Sequence, residues 1–245
     1  MAEDTDRIIE DFQSSLGLVS QYDYGKSHAW LDEFQKIMAR VYNNPQIYGE
    51  IESLMVDALN SDASPAAKQM ICNYLGPLAS GKSVSILKDM VMDVDLSSSA
   101  LSVLQQIPDQ AAAKALMELL PLADGKVQQG IINVLAKRKS PEAVDPLEKL
   151  IYDDDQDVGS TAVFALGQIG SEEACSILAK AFEKSGSPLK WDIAEAWLIC
   201  ADKMSRISTK EAFQIYIKVY EAGAPASLRY SALRGIINCD PAYGQ

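Results

Sequence analysis

The chain has 245 residues, 48% of them hydrophobic and 7% aromatic, and its 34 acidic against 22 basic residues give a formal charge of −12. A field of that sign repels phosphate backbones and anionic lipid, which sets aside nucleic-acid and membrane-surface binding as leading functions. No run of about 18 apolar residues could cross a bilayer, and the acidic stretch Met1 to Asp11 lacks the basic and apolar regions of a signal peptide.

In chain order, apolar spacing predicts helices near Thr5–Leu18, Ser27–Val41 and Pro45–Leu59, the first 60 residues being expected to cap an array. Residues 61–245 are expected to form that array, one continuous run of repeats. Ser140-Pro-Glu-Ala-Val-Asp-Pro-Leu147 and Ser171-Glu-Glu-Ala-Cys-Ser-Ile-Leu178 both open with a Ser placed to cap a helix, then acidic residues in the first turn. Asp109 caps an earlier helix of the same rhythm, and Ala212, Phe213, Tyr216, Val219 and Tyr220 repeat it later.

Each of these first helices is followed by a short turn and a second helix, clearest in Val158 to Gly170. Aligned on Leu166, the second helices carry Leu75, Leu104, Leu135, Leu166, Leu198 and Ile236, at spacings of 29, 31, 31, 32 and 38 residues. A two-helix unit of about 30 residues cannot bury its apolar face alone, and stacking such units makes a continuous core. The prediction is an all-α, right-handed α-α superhelix of about six helical pairs plus the N-terminal helices. Pro141, Pro188 and Pro225 fall near helix starts and Gly170 and Gly186 just past helix ends, in agreement with the period. The chain stops straight after a second helix with no polar capping helix in view, so it is expected to be a piece of something longer.

Val158 to Gly170, followed by Ser171-Glu-Glu-Ala174, resembles the HEAT repeat in its phycobilisome-lyase-like form. The resemblance extends to the HEAT-repeat region of large bacterial proteins through Tyr22-Asp-Tyr-Gly-Lys-Ser27, Ala67 to Leu75, Ala194 to Ala201, Ala212 to Tyr216 and Leu228 to Ile236. It implies a non-catalytic, extracytoplasmic interaction scaffold beside other modules, or a cytoplasmic protein if Met1 is the native start. It brings no catalytic residues. The alternative is an enzyme accessory or lyase-like subunit of the bilin-lyase kind. Ala194 to Tyr220 also looks like a tetratricopeptide pair, another binding module.

Candidate chemistry is sparse. Asp153, Asp155 and Asp157 alternate in the manner of a cation-binding loop, but Val158 and Phe164 stand where an EF-hand needs Gly and Glu, so these residues read as a turn capping the next helix. Gly76-Pro-Leu-Ala-Ser-Gly-Lys-Ser83 matches the letters of a phosphate-binding loop, yet it follows a helical pattern and not a buried strand. The one histidine, His28, cannot supply the several His-Glu dyads of HEAT-fold di-iron hydroxylases. A basic concave face, as in HEAT-like DNA glycosylases, is missing, and Lys137, Arg138 and Lys139 read as cations at a helix C-terminus. Cys72, Cys175, Cys200 and Cys239 form no metal-binding spacing and read mostly as core. Neither metal nor cofactor is expected.

The second helices should line the concave surface. Val158, Ala162, Ala165, Leu166 and Ile169 face inward, leaving Ser160, Thr161, Phe164 and Gln168 outward. Carrying Phe164 along the register gives Asn73, Ser102, Asn133, Ala196 and Arg234; carrying Ser160 gives Gln69, Ser98, Gln129, Asp192 and Tyr230. The candidate binding residues are therefore Asn133, Ser160, Phe164, Asp192, Tyr230 and Arg234, with Phe164, Tyr230 and Arg234 the expected centre. Such a stripe suits a protein or peptide partner, and could suit a glycan. Trp197 is expected in the core, while Trp191 admits either placement.

Overall fold

The computed structural model describes the backbone of residues 2–186 and 189–239, and the side chains of residues 5–186 and 189–239. Pro188 and the segment Pro241 to Gln245 lie outside the described residues. Among those described there are fourteen α-helices and no strand. They form two compact units, residues 1–123 and 124–245.

Unit 1 holds α1 (Ala2–Ser20), α2 (Leu31–Tyr42), α3 (Tyr48–Leu59), α4 (Pro65–Leu75), α5 (Val84–Val91), α6 (Ser97–Gln106) and α7 (Gln110–Leu119). Helix α2 begins at Leu31 and not at Ser27. The residues before it form a turn in which Leu31 N–H donates to the His28 carbonyl at 2.9 Å. Trp30 sits edge-on to Tyr22 and to Phe34, with ring centroids 5.7 and 6.2 Å apart. Docking that large ring fixes the chain direction before the helix can start. Local capping follows the expected chemistry elsewhere: Ser64 accepts from Ala67 N–H with Pro65 at the first helical position, and Asp109 accepts from Ala111 N–H.

Unit 2 holds α8 (Gly125–Arg138), α9 (Val144–Leu150), α10 (Gln156–Ile169), α11 (Glu172–Lys184), α12 (Leu189–Met204), α13 (Thr209–Glu221) and α14 (Ala226–Cys239). The even-numbered helices lie side by side in the order α8, α10, α12, α14, and each odd-numbered helix packs against its neighbours from the other layer. Leu135 and Leu166 are fully buried, and a side chain of that kind stabilises a fold by roughly 1.5–3 kcal/mol when removed from water. Asp155 accepts from Asp157 and Val158 N–H at the start of α10, so the Asp run is a cap, and Gly170 closes that helix with φ 65°. Ser171 caps α11 by accepting from Ala174 N–H. Ser140 makes no such bond, and Pro141–Ala143 forms a 3₁₀ turn before α9. Gly186 is also not a helix terminator of the left-handed kind: α11 ends in an extended Ser185.

One register expectation is corrected. Ala196 is buried, at 1% exposure, and is not a surface member of the Phe164 stripe. The burial phase of α12 runs one residue earlier than the Leu166–Leu198 alignment, so that Ile193, Ala194, Ala196 and Trp197 take the buried positions of Ala162, Val163, Ala165 and Leu166. The reason is a close crossing: a Cβ on Gly167 of α10 would lie 2.7 Å from the Ala196 carbonyl oxygen. Trp197 thereby enters the core against Phe182, centroids 5.4 Å apart.

Candidate functional site

The residues that α10, α12 and α14 leave at the surface of unit 2 are set by these phases. Phe164 is 46% exposed and Tyr230 75%. Asn133, Asp192 and Arg234 are also exposed, and Ser160 is half-buried. Ser160 Oγ donates to Asp192 Oδ2 at 3.1 Å, which ties α10 to α12.

Asp192 and Arg234 line one cleft between α12 and α14, of about 390 Å³, together with Trp191, Glu195, Asp202 and Ser231. Tyr230 opens instead on a groove of about 270 Å³ with Tyr220, Arg229 and Leu233. Asp192 and Arg234 thus share one cleft; Ser160 is tied to it only through its bond to Asp192 and lines a separate pocket with Tyr152 and Gln156, while Phe164 and Tyr230 lie outside that cleft. Trp191, whose placement the sequence leaves open, and Glu195, which it does not single out, also line this cleft. The one-residue phase shift of α12 puts Trp191 in the slot of Ser160 and Glu195 in the slot of Phe164, and the burial pattern, not the Leu spacing, is the signal that finds them.

Beyond Asp202 and Arg234, which it shares, a second cavity of about 520 Å³ is lined by Ser205, Arg206, Thr209 and Asn238. The Tyr216 hydroxyl donates to Asp202 Oδ1 at 2.6 Å. Burial, then this bond, pushes the Tyr216 hydroxyl above its ordinary pKa. Tyr216 is held in turn by Gly235, where an added Cβ would overlap the phenol ring. Lys203 on the flank of α12 donates to the Gly167 and Gln168 carbonyls at the end of α10, placing a cation on a negative helix terminus.

In unit 1 the segment Gly76 to Ser83 joins two helices, as its periodicity predicts, and its donors are already used. Glu52, 2% exposed, accepts from Ser80 N–H at 2.7 Å, from Ser80 Oγ at 2.8 Å and from Ser83 Oγ at 2.7 Å. An internal carboxylate occupies the hydroxyls and amide that a phosphate would need. His28 is exposed in the turn before α2. Among the described residues no group of three or more His, Cys, Asp or Glu side chains could hold a metal ion, and no helix is long and apolar enough to cross a membrane.

The repeat spacing, the paired helices and the buried Leu positions meet a sequence family at this point: residues 113–197 match the profile described as HEAT repeats. The chain carries a HEAT-repeat region. Among solved structures, an engineered protein aligns with a TM-score of 0.48 and 16% identity, over 94% of this chain and 68% of its own. The complex of CpcE and CpcF of phycocyanin lyase from Nostoc sp. PCC7120 aligns with a TM-score of 0.43 and 16% identity, over 91% and 87%. Human deoxyhypusine hydroxylase aligns with a TM-score of 0.39 and 14% identity, over 96% and 99%. No curated protein matches the sequence significantly.

Proposed function

We propose that this chain is a non-catalytic protein-interaction module that receives its partner on the exposed side of α10, α12 and α14. The observation that carries the reading is the cleft between α12 and α14, where Trp191, Asp192, Glu195 and Arg234 surround about 390 Å³ on the layer of second helices. Pockets of this kind bind through a few aromatic and Arg anchors while surrounding contacts exclude water. A peptide matches the charged lining better than a glycan, since neutral sugars would cover the carboxylates and the guanidinium without pairing them.

The test is binding of displayed random peptides to the whole chain, compared with a variant in which Phe164, Tyr230 and Arg234 are all changed to Ala. Loss of about tenfold or more in affinity supports a surface that includes these residues; unchanged affinity removes them from it. Mixing the purified chain with bilin and an acceptor protein is the complementary assay. Covalent attachment of the bilin would overturn the non-catalytic reading in favour of a lyase-like subunit.

A further inference from the structure

The cleft and the cavity beside it share Asp202 and Arg234, so the two form successive lobes of one groove along α12. Their chemistry differs. The first lobe presents Asp192 and Glu195 beside the half-buried ring of Trp191. The second presents two guanidinium groups, Arg206 and Arg234, with the hydroxyls of Ser205 and Thr209 and the amide of Asn238. Asp202, at the junction, is engaged by the Tyr216 hydroxyl. Among the described residues neither Arg206 nor Arg234 stands in an ion pair.

We infer that the groove takes an extended peptide segment of a partner protein in one direction, a Lys or Arg side chain entering the lobe of Trp191 and Glu195 and a carboxylate entering the lobe of Arg206 and Arg234. The inference rests on the interaction reading above and adds the chemistry of the partner. A cationic side chain is drawn to the first lobe by the carboxylates of Asp192 and Glu195. A carboxylate, from Asp, Glu or a chain terminus, matches the planar fork of Arg better than a hydroxyl or a second cation would. A uniformly basic segment would meet Arg206 and Arg234 in the second lobe, and a uniformly acidic one would meet Asp192 and Glu195 in the first. The two-signed lining therefore selects against both.

The experiment uses random peptides displayed on phage, selected on the full chain, with the enriched sequences remade and their affinities measured. The expected result is enrichment of a Lys or Arg followed or preceded at fixed spacing by an acidic residue or free carboxyl terminus. Arg234→Ala and Glu195→Gln should each weaken binding about tenfold, and raising salt should weaken it further. The decisive arm is a charge swap: Arg234→Glu should lose the selected peptide and regain binding to its acidic-to-Lys counterpart. That regain also shows that the variant is folded. Peptides that bind with no charge pattern, or that ignore Arg234 and Glu195 while responding to Phe164 or Tyr230, overturn the inference and leave the interaction reading standing. Selection of no peptide at all overturns both.

Discussion

Gly167 and Ala196 bring α10 and α12 so close that a single methyl group would separate them: a Cβ on Gly167 would lie 2.7 Å from the Ala196 carbonyl oxygen and 3.0 Å from its Cβ. Backbone on the far side cannot yield as a flexible side chain would. Gly167→Ala should therefore destabilise unit 2 by about 1–3 kcal/mol, the ordinary cost of overpacking. Gly17, inside α1 with nothing within 4 Å of an added Cβ, is the control. There Ala should stabilise by about 0.5–1 kcal/mol through helix propensity. Urea denaturation of both variants reads the two signs; an unaffected Gly167→Ala would mean that the helices are not in close contact.

Glu52 is a second point of brittleness. Its removal leaves the Ser80 amide and the Ser80 and Ser83 hydroxyls buried or half-buried without their acceptor. Glu52→Ala should lower stability by about 2–4 kcal/mol, several unsatisfied donors at about 1–3 kcal/mol each being partly recovered by water. Glu52→Gln keeps one carbonyl acceptor and should fall between the two. A denaturation midpoint equal to that of the wild type would refute the clasp.

Stability should also fall in alkali. Burial, reinforced by the neighbouring phenols of Tyr74 and Tyr48, pushes the Tyr42 hydroxyl up to about 12 from an ordinary 10.0. Below the unfolded value the proton is bound in both states and nothing changes. Between about 10 and 12 the unfolded chain releases it first, so folding weakens as pH rises through that window. Tyr216 contributes in the same direction. Thermal melts across pH should show the decline, and Tyr42→Phe should flatten it at the cost of the bond its hydroxyl donates to the Tyr74 carbonyl at 2.9 Å.

The thiols should divide by burial. Burial pushes Cys72 up to about 12, and Cys175 is raised by its contact with Cys200 and then by burial. Cys239 is only half-buried. A maleimide at neutral pH should label Cys239 first and reach Cys72, Cys175 and Cys200 only as the chain unfolds, because those three are buried away from the reagent. Mass spectrometry of native and denatured chain settles the order.

The fold was legible in the sequence because period, caps and breakers pointed the same way. The near-31-residue recurrence of Leu75, Leu104, Leu135 and Leu166 marks positions that are all fully buried. The site was legible only in part. Carrying a surface position along the register leads to Asp192 and Arg234, which line the α12–α14 cleft, but not to Trp191 and Glu195, which line it with them. Their slot depends on the phase of α12, which the Gly167–Ala196 crossing sets, and apolar letters alone cannot reveal it where Ala196, Trp197 and Leu198 stand consecutively. The Glu52 clasp was invisible for a different reason. Nothing local marks a glutamate as buried until the loop 28 to 31 residues later supplies its donors.

Gly235, Tyr216 and Asp202 form a line from the core to the groove: the glycine makes room for the ring, and the ring's hydroxyl holds the carboxylate at the junction of the two lobes. Inheritance of the groove lining is therefore tied to inheritance of the interior. Among descendants of this chain, position 235 should remain glycine wherever Tyr216 and Asp202 are retained together, and lineages that enlarge it should re-tune the groove in the same step. A constraint on the groove lining reaches, through one phenol, a buried glycine.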